Sequence, residues 1–213
     1  MQGLQFGLNV SAAATPGADP VGDARRAEEL GFEFVSVNDH LHGPDPRYET
    51  WTLLSWIAAA TARIRVASRV LGVPYRHPAV LAKMAETFDR LSNGRLILGL
   101  GAGASDHEFR AFGLGVRSPR DKIDGLEEAI RITRSAWSER GVNFDGRLYH
   151  TDGAELEPKP DHAIPIWLGT FGPRALAVTG RLADGWIPSF DHASPEQIPV
   201  MRERIFAAAR AAG

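Results

Sequence analysis

An α/β fold of the (β/α)8 TIM-barrel type, with about six of its eight strands present, is what this sequence predicts. Three observations predict it. Short apolar runs of buried-strand length recur at residues 4–10, 34–38, 64–68, 96–100, 166–168 and 186–188. The segments between most of them are longer and carry helix signals. The helix starts share one signature, a proline at the first helical position, in Asp19-Pro20, His77-Pro78, Ser118-Pro119, Gly172-Pro173 and Ser194-Pro195. Proline there loses nothing by lacking an N–H, and its fixed φ suits the helix.

The elements follow in order. Asp19, Ser118 and Ser194 are good N-caps, and Ser194 with Gln197 has capping-box spacing. Gly31 and Asn93-Gly94 mark helix ends. Leu81, Met84, Ala85, Phe88 and Leu91 recur at helical spacing, as do Leu126, Ile130, Thr133 and Trp137. Residues 140–161 interrupt the rhythm with turn signals at Asn143, Asp145-Gly146 and Asp152-Gly153, which predicts a hairpin. A last helix is expected over 195–212. Parallel strands joined by helices need both sheet faces covered, or a closed barrel. One domain over 1–213 is expected, truncated at its C-terminal end, with a further segment or a partner chain supplying the missing wall.

Composition narrows the function. The 213 residues are 44% apolar and 23% charged, with a formal net charge of -2. That balance gives no reason to expect nucleic acid or an anionic membrane as partner. With no cysteine, disulfides, thiolate catalysis and thiolate metal sites are excluded. The N-terminus enters a strand-like run without a basic leader, so a cytoplasmic enzyme, expected as a homodimer acting on a small molecule, is the default.

Candidate chemistry gathers at strand ends, where barrels build their sites. Asn38-Asp39-His40 ends the second run, and a histidine after an acid there suits general acid or base work near neutral pH. Asp39 could instead cap a loop. Asp39, His40 and His42 could ligate a metal, but that needs ligands from other strands, which end in arginine and glycines. Gly99, Gly101 and Gly103 either make a tight turn or let a ligand approach the backbone. In the run IWLGTFGPR, the N–H groups of Gly169, Thr170 and Gly172, with Arg174, would suit a phosphate at a helix start.

Several stretches resemble the luciferase-like monooxygenase superfamily, and within it the deazaflavin-dependent oxidoreductases. They are NDHL at 38–41, RHPAVLAK at 76–83, DRLSNGRLILGLGAG at 89–103, HEFRAFG at 107–113, FDGRLYH at 144–150 and ADGW at 183–186. The resemblance implies coenzyme F420, or alternatively FMN, in the barrel mouth, and hydride transfer to or from an organic substrate. It implies coenzyme contacts at Asn38, Arg69, Val70, Gly101, Gly103, His107, Gly169, Thr170, Gly172 and Arg174. It also implies catalytic roles for His40 and Asp39, Asp39 holding the imidazole or meeting the ring edge, and a cis peptide at Arg69–Val70. Two departures stand out. Ala104 replaces the glutamate acid of the sugar-phosphate dehydrogenases, and the reactive cysteine of bacterial luciferase is missing. An FMN-dependent monooxygenase, a non-catalytic flavin-binding protein and a metal-dependent hydrolase are the competing expectations.

Overall fold

The computed structural model describes residues 5–213; Leu4 of the first expected strand lies outside them. The elements run β1 (Gly7–Asn9), α1 (Pro20–Glu29), β2 (Phe34–Val37), α2 (Thr50–Ala60), β3 (Arg65–Ser68), β4 (Leu71–Gly72), α3 (Pro78–Leu91), β5 (Leu96–Gly101), α4 (Asp106–Ala111), α5 (Pro119–Ser138), β6 (Val142–Asp145), β7 (His150–Ala154), β8 (Ile166–Leu168), α6 (Pro173–Leu182), β9 (Gly185–Trp186) and α7 (Ile198–Ala212). A short 3-10 turn, Val73–Tyr75, follows β4.

The proline-led helix starts form as their sequence dictates. Asp19 accepts a hydrogen bond from Gly22 N at 2.8 Å, and Ser118 from Asp121 N at 3.1 Å. α2 is capped by a longer side chain, Glu49, which accepts from Trp51 N and Thr52 N. α7 begins at Ile198, not at Pro195. The reason is a second proline, Pro199. It has no N–H to give to the carbonyl of residue 195, and it disfavours helical backbone at the residue before it. One half of the expected capping box survives: Gln197 Oε1 accepts from Ser194 N at 2.9 Å. The apolar stripe of α3 faces the core through Leu81, Ala85 and Phe88, whereas Leu91 is exposed.

All strands of the main sheet are parallel, in the order β1-β2-β3-β5-β8-β9, with β4 also paired to β5. The sheet curls into an incomplete TIM barrel of six main strands, with β1 and β9 at its ends. β5 is buried along its whole length, as a strand covered on both faces must be. Phe34 and Trp167 meet edge to face at 5.6 Å, beside Gly7 and Gly185, where any Cβ would collide with those rings. β6 and β7 form the antiparallel hairpin expected within 140–161.

The third strand breaks where the site begins. Past Ser68 the chain leaves the ladder with β5, passes through a cis peptide at Arg69–Val70, and rejoins β5 as β4. Ser68 Oγ fills the gap, accepting from Gly99 N and donating to Gly99 O, both at 2.9 Å. A Cβ on Gly99 would lie well inside contact distance of the Ser68 carbonyl oxygen. Gly99→Ala is therefore expected to destabilise the protein by about 1–3 kcal/mol, the usual range for overpacking. Denaturant unfolding would read this as a lower midpoint at unchanged slope.

Candidate active site

A cavity of about 570 Å³ opens at the C-terminal ends of the strands. That volume is in the range of small-molecule and cofactor sites. Asn38, Asp39 and His40 follow β2 directly and all three line it. Their side chains then part. Asp39 is buried, and its Oδ2 accepts from Gly72 N at 3.0 Å and from Arg76 at 2.8 Å. Its Oδ1 accepts a second bond from Arg76 at 3.2 Å. Arg76 in turn reaches Glu49, so Asp39 ties β4 and the following turn to the start of α2. The expectation that Asp39 holds the imidazole is corrected here: Arg76 and Gly72 take up both of its oxygens.

The partner of His40 is Glu108 on α4. His40 Nδ1 lies 2.8 Å from Glu108 Oε1. Glu108 is only 2% exposed, and its Oε2 accepts from Tyr75 Oη at 2.7 Å and from Leu41 N at 3.0 Å. Burial pushes its carboxyl up, but the hydrogen bonds from Tyr75, His40 and Leu41 outweigh burial and hold it at about 2. Burial and the Glu108 carboxylate both raise the Tyr75 phenol, which keeps its proton and donates. An ionised carboxylate only accepts, so Nδ1 of His40 carries the proton in the neutral ring. Nε2 is left with a free lone pair on a ring that borders the cavity.

The third side chain of the cluster, His42, packs its ring against His107 at 5.8 Å and Phe112 at 6.0 Å. Asp39, His40 and His42 thus each turn to a different partner, and they do not converge on a point where one metal ion could sit.

Three glycines surround one side chain. A Cβ on Gly101 would meet Val70 at 2.7 Å, and one on Gly169 would meet it at 2.9 Å. Gly99 faces the same side chain at 3.2 Å. These glycines make room for Val70, which forms part of the cavity wall. The expected use of Gly169 N–H for phosphate is corrected as well, since it donates to Leu100 O at 3.0 Å within the sheet. Gly103 has φ +86, and a Cβ there would strike Phe109 and Pro74. Thr170 spends its hydroxyl on Thr179 at 2.6 Å and its carbonyl on Trp186 Nε1 at 2.8 Å.

Gly172 differs from the others: a Cβ there would meet nothing within 4 Å. It caps α6 without any side-chain hydrogen bond, so the first N–H groups of that helix have no side-chain acceptor. Arg174 lies on the same turn at the cavity rim and is paired with Asp124, which also holds Arg147. Of the residues expected from sequence, His107, His42 and Gly99 do not line the cavity. Sequence reasoning missed Glu108, together with Tyr75 and Lys122. On α4 it is Glu108 and Phe109 that are buried, whereas His107 is exposed.

An apolar wall that includes Val70, Phe109, Ile123 and Ile187, with cations at Lys122 and Arg174, suits a flat ring carrying an anionic tail. The open space at Gly172 and the uncapped turn of α6 suit the anion. Among the described residues no helix is long and apolar enough to cross a membrane.

The family model described as luciferase-like monooxygenase matches residues 6–213. An F420-dependent glucose-6-phosphate dehydrogenase of Kineococcus radiotolerans is 32% identical over the whole chain, which spans 65% of that relative's own length. The solved structure of an F420-dependent secondary alcohol dehydrogenase in complex with an F420-acetone adduct superposes with a TM-score of 0.89 at 26% identity. That match covers 98% of this chain and 64% of the other. A type II Baeyer-Villiger monooxygenase from Pseudomonas putida in complex with FMN shares the fold, with a TM-score of 0.82 at 19% identity. It covers 100% of this chain and 64% of its own. By the match of the family model to residues 6–213 and by its fold, this chain belongs to the luciferase-like monooxygenase family.

Proposed function

We propose that this chain carries the active site of an oxidoreductase that moves a hydride between coenzyme F420 and a small organic substrate, with His40 handling the proton. The observation that carries this reading is the His40–Glu108 pair at the cavity edge, in a barrel whose relatives are named for F420. Bound coenzyme F420 would supply a carbon centre that accepts or donates a hydride, where a flavin has the nitrogen that allows oxygen chemistry.

The chain's own residues do the rest. Val70, packed against Gly99, Gly101 and Gly169, would support the ring. The first turn of α6, from Gly172, together with Arg174 and Gly103 on the neighbouring loop, would hold the coenzyme's phosphate. Arg174, paired here with Asp124, would exchange that partner for the phosphate, and Asp124 would keep Arg147. His40 Nε2 takes the proton of a substrate hydroxyl, or returns it to a carbonyl oxygen in the reverse direction. Glu108 fixes the ring by its Nδ1 and balances the imidazolium charge while the proton is held.

Arg174→Glu is expected to weaken coenzyme binding about tenfold or more, the range of one charge-assisted hydrogen bond. The fold should survive, because an acidic side chain is favourable in the first turn of a helix. Fluorescence titration gives the affinity and circular dichroism checks the fold; unchanged affinity would remove Arg174 from the site. The reaction itself is tested by anaerobic mixing of coenzyme-loaded protein with secondary alcohols and hydroxy acids while the coenzyme absorbance is followed. Bleaching without oxygen is expected. Turnover that requires oxygen and FMN would replace this reading with a monooxygenase.

A further inference from the structure

Three arginine or lysine side chains line the cavity: Arg69, Lys122 and Arg174. Lys122 is paired with Asp106, and Arg174 with Asp124. Arg69 has no carboxylate at ion-pair distance among the described residues, and its one side-chain hydrogen bond is a long 3.4 Å contact to Asn38 Oδ1. The two buried acids at this end of the cavity cannot serve it. Asp39 is taken by Arg76 and Gly72 N, and Glu108 by His40, Tyr75 and Leu41 N.

A half-buried guanidinium offering five N–H donors therefore stands almost unused. Asn38 adds to it. With its amide oxygen turned to Arg69, its two N–H donors are left over, and it lies two residues before His40 along the same strand end. The result is a surface of donors carrying one uncompensated positive charge, beside the proton-handling ring. Its complement is a planar acceptor with one negative charge, which describes a carboxylate, and the arginine fork matches carboxylate geometry in two bonds. A phosphate monoester carries between one and a half and two charges at neutral pH and finds no second free cation here.

We propose that Arg69 and Asn38 bind the carboxylate of a small organic acid substrate, so that a hydroxyl or carbonyl elsewhere on that molecule faces His40. This rests on the oxidoreductase reading, and it moves both side chains from coenzyme to substrate, leaving only the Arg69–Val70 backbone behind the ring. The substrates would be hydroxy acids and the corresponding oxo acids.

The test is calorimetric titration of the protein, first with coenzyme F420 and then with propanoate, propanamide and inorganic phosphate as unreactive probes. Propanoate should bind at least about tenfold more tightly than propanamide. Arg69→Gln should abolish that difference, Arg69→Lys should keep part of it, and both variants should bind F420 as the unaltered protein does. Equal binding of acid and amide, tighter binding of phosphate, or a loss of F420 affinity in Arg69→Gln would each overturn the proposal. If the unaltered protein takes up no F420, the oxidoreductase reading fails visibly at the first step. The propanoate–propanamide comparison on coenzyme-free protein then still decides whether Arg69 binds a carboxylate.

Discussion

Replacing His40 with alanine is expected to lower the rate of hydride transfer by roughly 100- to 10,000-fold, the usual loss for a missing general acid or base. Coenzyme affinity should stay close to that of the unaltered protein, because the residues proposed to hold the phosphate follow β5 and β8 and start α6, whereas His40 follows β2. The fold should also tolerate the change. The His40 side chain is half exposed, and Glu108 keeps Tyr75 and Leu41 N as donors. Stopped-flow absorbance with a competent substrate separates the two quantities, giving a rate for the step and an affinity for the coenzyme. A rate equal to that of the unaltered protein would reduce His40 to a loop residue and leave the proton to another group.

The second large effect is expected at Glu108. Glu108→Gln keeps the shape but removes the charge, and transfer should slow by roughly 10- to 1,000-fold, less than the loss of His40 itself. A residue that only packed α4 would slow nothing if the fold held, so the state of the ring is the discriminating readout. Nitrogen NMR shifts of His40 should report the Nδ1-protonated tautomer in the unaltered protein and a mixture in Glu108→Gln. Glu108→Asp should restore part of the rate. Acid stability supplies an independent sign. The folded-state pKa of Glu108 lies near 2, below its ordinary 4.5. Its stabilisation is therefore fully present above pH 4.5 and is lost as the pH falls from there toward 2. Removing the carboxyl should flatten the stability curve in that window; an unchanged slope would show that Glu108 is not held ionised.

Much of the scaffold was legible in the sequence because its signals are local. Pro20, Pro78, Pro119 and Pro173 sit at the starts of their helices, where a fixed φ and a missing N–H decide the matter within a single turn. Pro199 overrode the same signal at Pro195, a conflict between two local rules four residues apart. The strands appeared as apolar runs because parallel strands bury both faces, which β5 does throughout. Residues 38–40 could be placed at the site because strand ends gather there in barrels. The pairing within that segment could not be read in the same way. Glu108 lies 68 positions from His40, and the groups that claim Asp39, Gly72 N and Arg76, lie 33 and 37 positions from it. Gly99 and Gly101 in β5 and Gly169 after β8 suggested a ligand, yet they accommodate Val70. A glycine marks only where something comes close, and in sequence a side chain and a coenzyme leave the same mark.

The most direct test of the central claim is an equilibrium titration of the protein with coenzyme F420 and, in parallel, with FMN, followed through the absorbance and fluorescence of each. Saturable binding of one F420 per chain is predicted, with FMN weaker by at least about tenfold, or ~1.4 kcal/mol. Arg174→Glu should weaken the F420 isotherm and His40→Ala should leave it in place. FMN binding as tightly as F420 or tighter, or no saturable binding of F420, would contradict the assignment of this cavity to a deazaflavin hydride carrier.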